Sequence, residues 1–317
     1  MYDTIEFRLK FSDVPDVNFI EETPCYLDET TLGTHNYNSG VYVTGNVGSL
    51  KVTIRPDQIK VGGGSFCKWY LGDNYKTMTK GDVKMGIERL SDTLHLPMDK
   101  ATITRIDVAQ NIIVKYPINV YFDHLGNLGN AKRLQEPNGL YYSRSDGRLC
   151  FYDKNREQRD KREFVPDFYK GKKVLRYEQR YIKRLPKQFK VDEVRAALLY
   201  DESLYIALLQ NWRDSYKKIQ KINDVILKNE TMIKAKTFNQ MATLCWLKEI
   251  GGEAKALAKI AESQKMGYLN RRQAYDLRVK VENACKVTEG LTMQSDAIAE
   301  LDKKINEVVE NCLNTLY

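Results

Sequence analysis

Three short segments of the chain bring together residue types that can do phosphoryl chemistry. The first is Thr102-Ile103-Thr104-Arg105-Ile106-Asp107-Val108. On a strand, side chains alternate between faces, so Arg105 and Asp107 share one face, and Ile106 and Val108 the other. An acid and a guanidinium in an apolar strand are costly unless paired or put to use. A structural ion pair and a functional pair are equally open from this segment. The second segment is Leu149-Cys150-Phe151-Tyr152-Asp153-Lys154-Asn155-Arg156-Glu157. Extended, it sets Cys150, Tyr152 and Lys154 on one face. A phenol, with an ordinary pKa of about 10, needs a nearby cation or metal to attack at neutral pH. Lys154 stands two residues away and can reach either the phenolate or the phosphate under attack. Taken singly, a tyrosine in a strand packs far more often than it reacts. The third is Val174-Leu175-Arg176-Tyr177-Glu178-Gln179-Arg180. Its polar face, Arg176, Glu178 and Arg180, alternates with Leu175, Tyr177 and Tyr181. That face is either the wet side of an antiparallel sheet or a carboxylate between two phosphate-binding groups.

The elements that must position these residues are mainly strands in the first half of the chain. Ile5, Phe7 and Leu9 alternate with polar neighbours, as do Leu50, Val52 and Ile54. Glycines 40, 45 and 48 predict a hairpin between Val41–Thr44 and Ser49–Arg55. Gly62-Gly63-Gly64 lacks the GK[ST] of a phosphate loop and reads as a connector. A helix is predicted after Thr79, with Asp82 in a capping-box position and Val83, Ile87, Leu90 and Leu94 as its apolar stripe up to Pro97. The pattern then predicts a strand at 102–114, a short helix at 118–125, strands at 139–144 and 148–154, and a strand at 174–182. After Pro186 the periodicity turns helical. Tyr205, Leu209, Trp212, Tyr216 and Ile219 form one stripe, and further helices fit 238–250, 253–265, 271–286 and 295–313. The last carries Ile298, Leu301, Ile305, Val308 and Cys312 at heptad-like spacing. Packing inside a helical domain is one use of that stripe, and dimerisation is the alternative. The sequence shows no internal repeat.

Composition narrows the partner. The 317 residues carry a net charge of +8, yet residues 144–190 alone hold 16 Lys/Arg against 7 Asp/Glu, an excess of 9. A local basic block fits a polyanion, because each neutralised phosphate releases counterions, although such runs are also ordinary solvated surface. Tyr141, Tyr142, Tyr152, Tyr169, Tyr177 and Tyr181 fall in or beside it, and aromatic faces among cations suit unstacked bases of single-stranded DNA. The six cysteines are scattered without a CxxC, which argues against a disulfide framework and a zinc ribbon. The three histidines, His35, His95 and His124, form no HxH pair, so a metal would have to be held by carboxylates. No stretch reads as a signal peptide or bilayer span, so a soluble intracellular protein is expected.

Taken in order, a strand RxD, then YxKxxE, then RYE resembles the replication initiation endonucleases of filamentous phages, the gene II/X family, and related plasmid Rep initiators. The matching stretches are TITRIDV (102–108), RLCFYDKNREQ (148–158) and VLRYEQRYIKRL (174–185). The resemblance implies an α+β chain. A nicking domain over 1–190, an antiparallel sheet of degenerate HUH/Rep-like kind, would precede an all-α domain over 191–317 for origin binding or oligomerisation. It puts the nucleophile on Tyr152 and an assisting cation on Lys154. Asp107, Glu178 and Glu157 fall on the family's acidic positions, read as ligands of Mg²⁺ or Mn²⁺. Arg105, Arg148, Arg156, Arg176 and Arg180 would meet DNA. For the helices from about 190 onward, origin recognition with Arg271, Arg272 and Arg278 facing DNA and plain structural packing are both open. The implied reaction is metal-dependent nicking of one origin strand through a 5′-phosphotyrosyl bond, with later rejoining. Implied partners are double- and single-stranded origin DNA, a host helicase and a polymerase, in the cytoplasm of a bacterial host, with a homodimer as an option. The rival readings are a non-catalytic origin-binding initiator and a relaxase or transposase of the same chemistry. The missing HxH pair counts against the relaxases.

Overall fold

The segment that carries Arg105 and Asp107 forms a single 13-residue strand, Thr102–Val114, at the centre of an antiparallel sheet. The structure is a computed structural model and describes residues 1–37, 40–225, 235–286 and 292–314. Among them ten strands build this sheet: β1 (Tyr2–Lys10), β2 (Gly33–Tyr37), β3 (Gly40–Val47), β4 (Leu50–Ile54), β5 (Gln58–Gly62), β6 (Thr102–Val114), β7 (Lys132–Glu136), β8 (Gly139–Ser143), β9 (Gly147–Asp153) and β10 (Lys173–Tyr181). Their order is β2-β3-β4-β5-β1-β6-β10-β9-β8-β7.

That order contains a repeat invisible in the residues. β1 is followed by a short helix (Phe19–Glu22) and the meander β2–β5, whose last strand returns beside β1. β6 is followed by a short helix (Ile118–His124) and the meander β7–β10, whose last strand returns beside β6. The halves meet antiparallel at β1 and β6, from Tyr2 opposite Val108 to Arg8 opposite Thr102. Strands β2, β5 and β7 had no distinct signal in the sequence, being short and taking their place from pairing with neighbours.

The predicted capping box holds. Thr79 Oγ1 accepts from the Asp82 N–H at 3.1 Å, and the Asp82 carboxylate accepts from the Thr79 N–H at 2.8 Å. The helix Lys80–Leu94 that follows buries Val83, Ile87, Leu90 and Leu94, the stripe read from the sequence. Each such side chain removed from water contributes about 1.5–3 kcal/mol. On the side of the sheet away from the polar residues, Tyr177 stacks on Phe151 at 4.4 Å and meets Trp212 in a tilted contact at 4.6 Å. Trp212 belongs to the helix Glu202–Lys217.

The helices after residue 190 divide between two cores. Glu202–Lys217 and the last helix, Asp296–Asn314, pack into the core of the sheet, so the stripe Ala297, Ile298, Leu301, Ile305 and Val309 is covered by the chain's own residues. Of the stripe read from the sequence, Ile298, Leu301 and Ile305 are buried, and Val308 and Cys312 pack partly buried against the same core. Between them, Ala235–Ile250, Glu253–Lys265 and Arg271–Lys286 form a three-helix unit around Met241, Leu244, Leu247, Ile260 and Val281. Two-residue strands, Asp224–Val225 and Thr292–Met293, pair across its entry and exit. The change of core therefore falls inside 191–317 and not at residue 190. No helix among the described residues is long and apolar enough to cross a membrane.

Candidate active site at the seam of the sheet

The polar face of β1, β6, β10 and β9 gathers the three predicted segments. Register does this: Arg180 pairs with Asp107 across β10 and β6, and Arg176 pairs with Tyr152 across β10 and β9. Period two then points Asp107, Glu178 and Tyr152 into one cleft of about 520 Å³. Gly139 lies opposite Tyr152 on β8, and a Cβ there would come within 2.5 Å of the Tyr141 hydroxyl. Glycine thus leaves room for the Tyr141 ring, which lines the cleft.

At the centre the Tyr152 hydroxyl donates to Glu178 Oε1 at 2.5 Å. The same oxygen accepts from Arg176 Nε at 2.6 Å, and Arg180 donates through Nε and Nη2 to Glu178 Oε2 at 2.9 and 2.6 Å. Arg105 forks onto Asp107 at 2.9 and 2.6 Å and reaches Glu6 at 3.4 Å. Arg180 Nε also stands 3.7 Å from Asp107, so both carboxylates converge on one guanidinium. Burial pushes the Glu178 carboxyl up, but Arg176 and Arg180 more than reverse this and hold it at about 2. Asp107 is pushed up to about 6 by burial, against the pull of Arg105. Burial pushes the Tyr152 phenol well above its ordinary value, and the neighbouring Glu178 charge adds to it.

Lys154, Arg176 and the three expected metal carboxylates lie in surroundings that strand alternation does not predict. Lys154 does not share the strand face of Tyr152. The Asp153 carboxylate accepts from the Arg156 N–H at 3.0 Å, ends β9 as a helix cap, and turns Lys154 into the helix Lys154–Asp160. There Lys154 is fully buried, donating to Glu157 at 2.8 Å with its ammonium 5.5 Å from the centre of the Tyr75 ring. Burial lowers its pKa. Arg176 is also fully buried, its guanidinium ending on Glu178, on Asp3 at 3.0 Å, and on Asn111 and the Asn74 carbonyl at 3.1 and 3.0 Å. It braces the site and is closed to a DNA phosphate. The carboxylate metal triad is not assembled. Burial raises the Glu157 carboxyl, yet Lys154 and Lys161 hold it down at about 2, while the other two acids face guanidinium groups. Among the described residues no group of three or more His, Cys, Asp or Glu is arranged for a metal. The residues as placed do not fit a divalent ion.

The other arginines read as DNA contacts are exposed or partly exposed. Arg105 and Arg180 keep 27% of their side chains exposed at the cleft. Arg148 is exposed, its guanidinium 6.0 Å from the centre of the Tyr141 ring, and Arg156 is exposed on the helix beside the cleft. Arg271 and Arg272 are exposed in the three-helix unit, and Arg278 donates to Gln264 at 3.0 Å. The competing tyrosines point inward: Tyr177 donates to the Trp212 carbonyl at 2.9 Å, and Tyr181 is 4% exposed. Asp3, Asn74, Tyr75 and Asn111 were missed. Their only sequence signal was polarity at a strand position or loop, and it gains meaning once β1 lies beside β6.

Residues 1–214 match the family model that describes the N-terminal part of the replication-associated gene II protein of phages. The chain belongs to this family. Membership makes it a rolling-circle replication initiator of the filamentous-phage gene II kind, with origin DNA as its partner. The match spans the whole ten-stranded sheet and ends inside the helix Glu202–Lys217, so the cleft lies entirely within it. The three-helix unit and the last helix lie outside it. No curated protein matches the chain.

Proposed function

We propose that the chain nicks one origin strand with Tyr152 as nucleophile, leaving a 5′-phosphotyrosyl bond and a free 3′-OH, and later reverses the step to rejoin the strand. The observation that carries this reading is the 2.5 Å hydrogen bond from the Tyr152 hydroxyl to Glu178 within a cleft rimmed by part-exposed arginines. Tyr141 also lines the cleft, but among the described residues its hydroxyl meets no carboxylate.

Before DNA binds, the phenol is held protonated. Its pKa is raised by burial, and Glu178, held down at about 2, is a poor acceptor for its proton. A scissile phosphate entering the cleft offers Arg180 and Arg105 a second anion. As Arg180 turns to the phosphate, Glu178 loses one of its two guanidinium partners and becomes the stronger base. Tyr152 Oη then attacks phosphorus while its proton passes to Glu178, and the P–O3′ bond breaks. The departing 3′ oxygen takes its proton from solvent. The guanidinium groups stabilise charge on the pentacoordinate phosphorus. The bond energy stays in the tyrosyl link, so rejoining needs no nucleotide cofactor.

Mg²⁺ or Mn²⁺ enters this reading as a competitor of Arg180 for Asp107 and Glu178. A host polymerase would extend the 3′-OH on a template opened by a host helicase. The non-catalytic alternative leaves the paired phenol and carboxylate without a use. The test is nicking of supercoiled origin plasmid, with and without Mg²⁺. Wild type and Tyr141→Phe are expected to nick and to form a covalent adduct, and Tyr152→Phe to do neither. Nicking by Tyr152→Phe would overturn the assignment.

A further inference from the structure

The segment 161–172, between the helix Lys154–Asp160 and β10, exposes two aromatic rings that the catalytic residues do not use. Phe164 is 71% exposed and Phe168 63%. Exposed phenylalanines forfeit the gain from burial. Here their surroundings are held in place. Glu163 is paired with Lys68 at 2.5 Å, and its N–H donates to the Gln158 carbonyl at 2.9 Å. The buried Asn155 amide donates at 2.8 Å to the carbonyls of both Tyr169 and Lys172. Tyr169 packs on Tyr75 with 4.6 Å between ring centres. The backbone is thus pinned on both sides of Phe164 and Phe168 while the rings stand in solvent.

Cations accompany both rings. The Lys172 ammonium lies 3.4 Å from the centre of the Phe168 ring, and that of Lys170 pairs with Asp167 at 2.6 Å while lying 5.9 Å from the centre of Phe164. Residues 161–173 hold Lys161, Arg162, Lys170, Lys172 and Lys173 against Glu163 and Asp167. The segment also continues the wall of the cleft, since Glu157, Asp160 and Lys161 line it together with Tyr152.

We infer that Phe164 and Phe168 form a stacking platform for unpaired nucleobases of the strand that crosses the cleft, with Lys172 shifting from the Phe168 ring face to backbone phosphate. This rests on the nicking reading for which strand is held, while base stacking itself requires no reaction. Exposed π-faces pinned among lysines suit unstacked bases, because every base offers a π-face whatever its sequence. A paired duplex would hide those faces. A protein partner docking on the same rings is the other outcome the experiment separates.

The test uses the full chain in EDTA and follows fluorescence anisotropy of labelled dT20 and of an abasic backbone of equal length. Wild type is expected to bind dT20 more tightly than the abasic strand. Phe164→Ala with Phe168→Ala should lose about tenfold per ring for dT20, about 1.4 kcal/mol each. Its affinity for the abasic strand should stay unchanged, and Phe168→Trp should keep the preference. Equal loss on both strands, or a preference that survives the double substitution, would overturn the platform; the latter would leave the rings to a protein partner. The plasmid assay separates the two readings. Nicking that survives Tyr152→Phe sinks the nucleophile and leaves base discrimination standing, whereas Tyr152-dependent nicking without base discrimination sinks only the platform.

Discussion

Tyr152 and Glu178 sit on neighbouring strands, and the phenol of one donates to the carboxylate of the other at 2.5 Å. The same carboxylate accepts from Arg176 on its buried side and Arg180 on its open side. The phenol proposed as nucleophile, the carboxylate it donates to and the two guanidinium groups on that carboxylate therefore form one connected group. Removing Arg180 from Glu178 would raise the basicity of that carboxylate, the step on which the proposed reaction turns.

Glu178→Gln should keep the hydrogen bond to the phenol but remove the proton acceptor. Single-turnover nicking is expected to fall by at least about 100-fold, the usual scale of general-base loss. Nicking at the wild-type rate would remove Glu178 from the mechanism.

Arg176 should behave as a structural residue. Arg176→Met leaves Asp3 and Glu178 buried without their shared cation, and about 3–5 kcal/mol of stability should go with it. Arg148→Ala should leave urea unfolding unchanged and lower the salt dependence of single-strand binding by about 0.7 in log–log slope. Reversed results for the two arginines would reverse their roles.

Arg180→Ala should open the carboxylate pair to a divalent ion. Titration calorimetry of the DNA-free protein with Mn²⁺ is expected to give weak binding for wild type and tighter binding for the variant, because the guanidinium no longer covers Asp107 and Glu178. Equal affinities would show that Arg180 does not compete with metal.

Stability should fall with acid. Glu157 and Glu178 are held at about 2 in the folded chain, below the ordinary 4.5 of an unfolded carboxylate. Their contribution is present above pH 4.5 and is lost as pH falls toward 2. Asp107, raised to about 6 from 3.8, acts the other way and costs stability as pH rises through that interval. Urea midpoints from about pH 5 down to about pH 2 should drop for wild type and drop less for Glu157→Gln. The Glu157 share is about 2 kcal/mol once solvent screening is allowed for. Parallel curves would mean that Lys154 and Lys161 do not stabilise the Glu157 carboxylate.

Much of this was legible in the residues. Alternation marked β6, β9 and β10 and assigned Asp107, Glu178 and Arg180 to a shared kind of face, because strand period two is a local property. It also turned Tyr177 away from Glu178, as the structure bears out. The Thr79 cap and the stripe to Leu94 were local signals too. Lys154 was misplaced because alternation assumes that the strand continues, whereas the Asp153 cap ends it. Arg176 and Arg180 have the same sequence character and differ only in what covers them.

The sequence by itself determined the strand face of Asp107, Tyr152, Glu178 and Arg180, since that follows from backbone period wherever the strand continues. Tertiary structure decided which of them meet. Pairing of β1 with β6 and of β6 with β10 brought Asp3 to Arg176, and the register of β9 on β10 set Tyr152 against Glu178. Those contacts join residues 26 to 173 positions apart in the chain, from Tyr152–Glu178 to Asp3–Arg176. Spacing along a chain carries no distance across a sheet; only the order and register of strands supply it.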